Sequence, residues 1–136
     1  MSTERFGNRF SDRYMMGASR LMVAPDDATY LVIQLPKYAF VTDVWLNIRT
    51  AYVAGSPTLT VGFEGNGETA NTAYFITNDI ADPSVAGIKR SVEDTLTSKP
   101  SKYFSGGSGG ITVTVAAGSA STEGTFEVFA QYVLIS

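Results

Sequence analysis

Residues 39–52 show an alternation of apolar and polar side chains with a period of two. Asp43, Asn47 and Arg49 share one parity, and most of the apolar side chains share the other. A period of two with one polar face is typical of a half-buried β-strand. The positions expected to face a core are Phe40, Val44, Leu46, Ile48 and Tyr52.

The same alternation recurs in residues 58–64, 111–116 and 125–135. Asn66-Gly67 follows the first of these runs. Asn-Gly is a strong signal for a tight hairpin turn because both central residues of a type I′ turn need positive φ. Residues 72–77 are then the returning strand. The side chains expected to point inward are Leu59, Val61, Phe63, Ile111, Val113, Val115, Phe126, Val128, Ala130, Tyr132 and Leu134.

Glycine, proline and asparagine separate seven to nine predicted strands, and Gly62 inside one of them indicates a bulge or a close backbone approach. Residues 85–97 fit either a weak strand pair or a short helix. Many short strands separated by turn residues indicate an antiparallel sandwich or barrel. We expect residues 21–136 to form one all-β domain, an antiparallel β-sandwich with a jelly-roll-like topology.

Residues 1–20 differ in composition from the rest, because arginines and aromatic side chains each recur every four residues. One interpretation is a loose chain terminus. The other is an extended arm that becomes ordered on a partner, with aromatic anchors and with arginines that pair with acidic groups. Three aromatics in nine residues favour the arm. Its expected contact residues are Arg5, Phe6, Arg9, Phe10, Arg13 and Tyr14.

Charge is distributed unevenly along the chain. Residues 1–20 carry four arginines against two acidic side chains, a net charge of +2, and residues 21–136 carry six basic and eleven acidic side chains, a net charge of −5. An acidic body argues against nucleic acid as the partner. No run of 18 apolar residues predicts a membrane span, and the first residues lack the apolar region of a secretion signal. We expect a chain made in a cytoplasm that binds neither nucleic acid nor a membrane.

The sequence contains neither cysteine nor histidine. Thiol catalysis, disulfides, iron–sulfur clusters, Ser-His-Asp triads and His-ligated zinc are therefore excluded. A glycosidase would need two nearby carboxylates, one of them shifted in pKa by burial. Asp43 and Glu127 lie on the polar parities of their predicted strands, where solvated carboxylates are expected. We expect no enzyme, no catalytic residue and no cofactor.

Glu64 and Glu68 flank the predicted Asn-Gly turn and form the most suggestive polar cluster. Carboxylate and amide oxygens on a flexible loop are ligands that Ca²⁺ accepts. The spacing does not match an EF-hand, and a hairpin turn with solvated acids explains it as well. We therefore expect no metal site.

Trp45 is the only tryptophan and lies on the polar parity of residues 39–52. An exposed position, a covering loop and an interface are all compatible with that parity. We take Trp45 and Arg49 as possible interface residues. Aromatic side chains of the body could also build a sugar-stacking platform, although core and inter-subunit contacts are the better interpretation. These aromatics are Tyr30, Tyr38, Trp45, Tyr52, Tyr74, Tyr103 and Phe129.

Four segments carry a resemblance to a known class of proteins: 40–52 (FVTDVWLNIRTAY), 59–67 (LTVGFEGNG), 103–115 with its glycine-rich beginning, and 124–135. In these segments, and in its cysteine-free, Thr- and Gly-rich composition, the body resembles the small β-sandwich decoration or cement proteins of tailed bacteriophage heads. Such proteins are short and have an N-terminal segment that reaches over the shell.

The resemblance implies a virion protein on the capsid surface that binds the major capsid protein and stabilises the assembled shell, often as a homotrimer. The absence of catalytic chemistry, the acidic body and the arm agree with this hypothesis. The alternative from another functional class is a carbohydrate-binding or receptor-binding β-sandwich of a phage tail or head fibre. That module would use exposed aromatics together with Asn66, Glu68 or Asn71.

Overall fold

The computed structural model of the chain describes residues 14–23, 25–53, 55–77, 82–93, 101–106, 108–116 and 123–135. These residues form two antiparallel sheets, and the first has the order β1-β10-β4-β7, with β2 also paired to β10 and β8 to β4. Its strands are β1 Tyr14–Ala18, β2 Met22–Val23, β4 Ala39–Thr50, β7 Gly87–Arg90, β8 Lys102–Phe104 and β10 Thr125–Leu134.

The second sheet has four strands in the order β3-β9-β5-β6. They are β3 Ala28–Leu35, β5 Thr58–Gly65, β6 Asn71–Ile76 and β9 Gly109–Ala116. The connections β3 to β4, β4 to β5 and β9 to β10 each pass from one sheet to the other. The two sheets form a sandwich, so the predicted all-β antiparallel sandwich is confirmed. Consecutive strands that alternate between sheets are also a feature of jelly rolls.

The core between the sheets includes the side chains that the alternation predicts for β5, β9 and β10, together with buried side chains of β3 and β4. The inward positions of β5, β9 and β10 are buried, except that the last two of β10 are partly exposed while still packing on the core. Phe75 and Phe104 are fully buried among them. Burial of apolar area contributes about 25 cal/mol per Å² removed from water, which makes this shared layer the main source of stability.

Phe40 was expected to face the core, and this prediction is wrong because β4 contains a β-bulge. Val41 pairs with Tyr132 and Asp43 pairs with Gln131, which leaves Thr42 as an extra residue in β4. One extra residue transfers the following side chains to the opposite face of the sheet. Val41 is therefore fully buried, whereas Phe40 is only partly buried.

The Asn-Gly hairpin and the close approach at Gly62 are both confirmed. Asn66 has a φ of 62° and Gly67 a φ of 68°, as a type I′ turn requires. At Gly62, a side-chain Cβ would collide with the backbone carbonyl oxygen of Asn71 on the neighbouring strand β6. A glycine is needed there because the two backbones are in contact.

Strand β1 lies within the segment that was expected to be an arm. It pairs with β10 from Tyr14 opposite Val133 to Ala18 opposite Phe129. Ser19 continues this contact, because its amide donates to the carbonyl oxygen of Val128 and its hydroxyl accepts from the Val128 amide, both at 2.8 Å. The end of the segment is thus attached to the sandwich, and the boundary at residue 20 stays a prediction. Within residues 85–97, the structure describes β7 and a short 3-10 turn, Ser91–Glu93.

Candidate functional site: the outer face of the first sheet

Trp45 lies on the outer face of the first sheet between two notable neighbours. Phe129 is opposite it on β10, and Arg90 is opposite it on β7. The guanidinium carbon of Arg90 lies 5.7 Å from the centroid of a Trp45 ring, within the range of a cation–π contact. Trp45 and Phe129 both remain partly exposed. Partly exposed aromatic pairs of this kind anchor many protein interfaces.

Other apolar side chains extend this outer face in both directions. Phe40 and Tyr103 pack with their ring centroids 6.4 Å apart. Met16 on β1 and Ile88 on β7 are exposed at the two sides of the sheet. We call the surface formed by these four side chains together with Trp45 and Phe129 the outer apolar face.

Asp43 contradicts the expectation of a solvated carboxylate, because it is buried beneath the edge of the sheet. Its Oδ1 accepts hydrogen bonds from the Val44 amide (2.9 Å) and the Ser91 hydroxyl (3.2 Å), and its Oδ2 accepts one from Arg90. Strand β7 and the turn after it fold over this position. The Asp43 carboxylate therefore links β7 to β4 by hydrogen bonds and neutralises the charge of Arg90.

Glu127 is not the neighbour of Asp43 that a paired-carboxylate site would require. It lies opposite Asn47, whereas Asp43 lies opposite Gln131. Its Oε1 accepts a hydrogen bond from Asn47 Nδ2 at 3.0 Å and lies 4.0 Å from Arg49 Nη1. The Arg49 side chain remains exposed at the second bulge of β4. Its charge is thus available at the surface, as an interface role would need.

Asn66 in the hairpin turn connects the two ends of the glycine-rich loop at residues 104–108. Its Oδ1 accepts the Gly106 amide at 2.7 Å, and its Nδ2 donates to the Tyr103 carbonyl oxygen at 3.2 Å. The Asn66 amide itself donates to the Ser108 carbonyl oxygen at 2.9 Å. The turn that suggested a loop ligand site therefore has a structural role.

Glu68 is held by two neighbours rather than being a free solvated acid. Lys102 Nζ lies 3.0 Å from its carboxylate, and Asn66 Nδ2 also donates to it. The hydrogen bond from Lys102, and then that from Asn66, lower the pKa of Glu68. The Lys102 ammonium also lies over the rings of Phe63 and Tyr74, 4.2 and 4.9 Å from their centroids. This cluster joins the β5–β6 hairpin to β8.

Neither a metal site nor a single aromatic platform is seen in the described part of the chain. There, no three His, Cys, Asp or Glu side chains come close enough together to hold a metal ion. Tyr52 is buried, and burial is the main cause of its raised pKa. Tyr30 lies on the second sheet, away from Trp45 and Phe129 on the first. No helix among the described residues is long and apolar enough to cross a membrane.

Five of the predicted arm residues lie outside the described residues: Arg5, Phe6, Arg9, Phe10 and Arg13. Tyr14, the sixth, opens β1 and pairs with Val133. Sequence reasoning missed the roles of Lys102 and Arg90, which come from segments that carried no motif. The only available signal was that each is a basic residue close to a predicted strand.

Chains of three solved phage capsids share this fold. The first belongs to the acidic stable capsid structure of Helicobacter pylori bacteriophage KHP30, with a TM-score of 0.67, 19% identity, and coverage of 91% of this chain and 90% of that chain. The second belongs to the cyanophage Pam1 capsid asymmetric unit, with a TM-score of 0.65, 17% identity, and coverage of 90% and 85%. The third belongs to the capsid of Ralstonia phage GP4, with a TM-score of 0.58, 17% identity, and coverage of 90% and 84%.

No protein-family model and no curated protein matches the sequence. The three structural matches confirm, at the level of the fold, the resemblance to small β-sandwich proteins of phage heads. At 17–19% identity the likeness concerns the backbone architecture, so the role of the chain has to be argued from its surfaces.

Proposed function

We propose that this chain is a structural protein of a phage virion that binds the major capsid protein on the capsid surface and stabilises the assembled shell. The observation that supports the proposal is the likeness along nearly the whole chain to components of three phage capsids. Each of those chains is covered to at least 84% of its own length. They are thus small single sandwiches of about the same size as this chain. A structural role, without catalysis, agrees with that likeness.

The outer apolar face is the surface that we propose for contact within the shell. Trp45 and Phe129 provide rigid aromatic area, and Arg49 supplies an exposed cation on the same sheet. A protein that binds assembled subunits but not free ones stabilises the assembly by mass action, by about 2.7 kcal/mol at a free concentration of 100 times Kd. We propose a cyclic homotrimer as the bound unit, because the resemblance to decoration proteins implies a trimer and most homo-oligomers have closed symmetry.

The N-terminal residues are proposed as the second contact, an arm that extends from the sandwich to acidic groups of the coat protein. Strand β1 supports this, because its pairing with β10 attaches the base of the arm at Tyr14. The segment before it has the aromatic anchors Phe6 and Phe10 and the cations Arg5, Arg9 and Arg13. An attached base reduces the entropy that the arm loses on binding.

Co-sedimentation with capsids prepared without this chain tests the proposal. The purified chain is expected to sediment with assembled shells and to remain in solution with unassembled coat subunits. Calorimetry of the decorated shells should show a higher Tm than that of bare shells. Equal binding to free subunits, or no binding to shells, would contradict the proposed function.

The contact surface is tested in the same assay with matched aromatic variants. Trp45→Ala and Phe129→Ala remove aromatic area from the outer apolar face and are expected to weaken shell binding at least tenfold. Tyr38→Ala removes a similarly exposed aromatic side chain from a turn outside that face and is the control. An equal effect of all three changes would show that the outer apolar face is not the contact surface.

A further inference from the structure

Strand β3 is an edge strand of the second sheet with little protection of its own. It pairs with β9 on one side, and no strand among the described residues pairs with its other side. Its eight residues include no charged side chain and no proline. Natural edge strands are usually protected by charges, prolines, bulges or covering segments, because their free N–H and C=O groups can pair with another chain. Its one such feature is a register irregularity at Val32.

The edges at the opposite side of the sandwich are better protected. On β7, the Arg90 amide donates to the Glu93 carboxylate at 2.9 Å, so a side chain occupies a group that an added strand would need. Strand β6 pairs irregularly with β5. Val61 lies opposite Ile76 and Phe63 lies opposite Asn71, so three residues of β5 face six residues of β6. Among the edge strands of the described residues, β3 is the longest, and the irregularity at Val32 is its only such protection.

One cavity of about 340 Å³ lies beside Tyr30, Leu31 and Val32 of β3, and an adjoining cavity of the same volume reaches β3 only at Tyr30. We call them together the β3 groove. Both are lined by Arg20, Met22 and Tyr30, and the walls include exposed apolar side chains. Val23 is 67% exposed and Leu31 is 47% exposed. A groove of this size next to free backbone groups is what strand addition requires, since side-chain pockets supply specificity to the main-chain hydrogen bonds.

The charge of the groove distinguishes three candidate occupants: a second copy of the chain, residues 1–13 of the same chain, and a segment of a partner protein. Arg20 carries the charge of the groove lining and is in none of the ion pairs formed among the described residues. A second copy added antiparallel to β3 would bring a second Arg20 to the same interface, and like charges oppose each other. Residues 1–13 of the chain carry three arginines against two acids, a net charge of +1, and are also a poor match.

We propose that the β3 groove binds an extended segment of a partner protein. The segment adds to β3 as a further strand, places apolar side chains in the cavities, and pairs a carboxylate with Arg20. This interaction surface lies at the β3 edge of the sandwich, next to β2 of the first sheet, and includes none of the residues of the outer apolar face.

Two synthetic hexapeptides test the proposal with the full-length chain labelled with ¹⁵N. The peptides are Thr-Val-Glu-Val-Thr-Val and Thr-Val-Lys-Val-Thr-Val, each capped at both ends and carrying a fluorophore for anisotropy. We expect the Glu peptide to bind at least fivefold more tightly than the Lys peptide. Its binding should shift the amide resonances of β3, and Arg20→Glu should reverse the preference between the peptides.

Edge variants separate strand addition from general stickiness. Leu31→Lys places a charge on the proposed edge and is expected to weaken Glu-peptide binding at least tenfold. Ile88→Lys makes the same type of change at an exposed position of β7 and is expected to change binding less than twofold. Amide spectra of the free variants verify that both are folded.

Several outcomes would overturn the proposal. Equal affinity for the two peptides, no shift of β3 amides at millimolar peptide, or equal effects of Leu31→Lys and Ile88→Lys would show that the groove does not select an acidic strand. A wild-type dimer in sedimentation that Leu31→Lys dissolves would assign the edge to a second copy. Tighter peptide binding after removal of residues 1–13 would assign it to that segment. The assays contain no capsid, so their failure is distinct from failure of the proposed function.

Discussion

Asn66 makes three hydrogen bonds to backbone groups in and beside the described part of the glycine-rich loop. We expect Asn66→Ala to lower the free energy of unfolding by about 2–4 kcal/mol. About 1 kcal/mol of this arises because alanine is strained at a φ of 62°. The remainder is the loss of the hydrogen bonds to Gly106 and Tyr103, at about 1 kcal/mol each. Urea unfolding followed by circular dichroism measures the change.

Asn66→Gly is the matched control, because glycine adopts positive φ without strain but makes none of the side-chain hydrogen bonds. We expect it to be about 1 kcal/mol more stable than the alanine variant and still less stable than the wild type. If Asn66→Ala were as stable as the wild type, the role of this side chain in the loop would be wrong.

Single residues show where sequence reasoning succeeds and where it stops. The Asn66-Gly67 turn was predictable because its signal is local and conformational. The contact of Asn66 with Gly106 was not, because it joins positions 40 residues apart. Asp43 was placed in solvent from its parity alone. Its burial depends on Arg90 and Ser91, in a segment whose pattern was ambiguous.

At the scale of elements, the ion pair of Glu68 and Lys102 joins the β5–β6 hairpin to β8. The pKa of Glu68 is lowered in the folded state from a reference value of 4.5. A carboxylate with a lowered pKa contributes stability above its unfolded pKa and loses that contribution as the pH falls through its folded pKa. We therefore expect Glu68→Gln to destabilise the fold at pH 7, with the difference from the wild type shrinking as the pH falls below about 4.5.

Denaturant titrations at pH 7, 5, 4 and 3 measure this difference. Glu64→Gln is the matched control, since Glu64 belongs to the same hairpin, is exposed and is in none of the ion pairs among the described residues. We expect the control to show a smaller loss at pH 7. A Glu68→Gln loss that stays constant down to pH 3 would mean that the hydrogen-bond geometry, and not the charge, carries the effect.

A second prediction at the scale of elements concerns the bulge in β4. We expect Val41→Ala to lower the free energy of unfolding by about 2 kcal/mol, because it leaves a cavity in a fully buried position. Phe40→Ala removes more atoms from a partly exposed position and is expected to cost about half as much. Thermal and chemical unfolding of the two variants gives the comparison. The reverse order would place Phe40 in the core and restore the unbroken alternation.

The bulge also explains why the sequence predicts the sandwich but not all of its inward positions. Alternation identifies a strand over a few residues, so β5, β9 and β10 could be assigned with their correct faces. A bulge is defined by the partner strand, and the partner of Thr42 lies 89 residues away at Gln131. Short strands such as β2 and β8, with two and three residues, carry too little pattern to be found.

At the scale of the whole molecule, the strand order joins distant parts of the chain. Strand β10 lies between β1 and β4, so residues at the two ends of the chain share one sheet. No local sequence pattern predicts this strand order. It also gives the end of the predicted arm, residues 14–18, a structural role, and truncation tests that role separately from the role of the residues before it.

Removal of residues 1–13 is expected to leave the free energy of unfolding within about 1 kcal/mol of the full chain, because β1 remains paired. Removal of residues 1–20 also deletes β1 and the Ser19 contacts with Val128. We expect it to cost at least about 3 kcal/mol, at about 1 kcal/mol for each lost hydrogen bond. Urea unfolding of both truncated chains measures the difference, and equal stabilities would mean that β1 adds nothing to the sandwich.

The shorter truncation also isolates the function of the arm, because it removes the arm without the strand. In co-sedimentation with bare shells, the chain lacking residues 1–13 is expected to bind at least tenfold more weakly than the full chain. A full-length variant with Arg5, Arg9 and Arg13 changed to Gln keeps the aromatic anchors and the length of the arm. If the arginines pair with acidic groups on the coat protein, this variant loses most of the same affinity, and added salt weakens the wild type towards it. Undiminished binding by the truncated chain would leave the outer apolar face as the sole proposed contact with the shell.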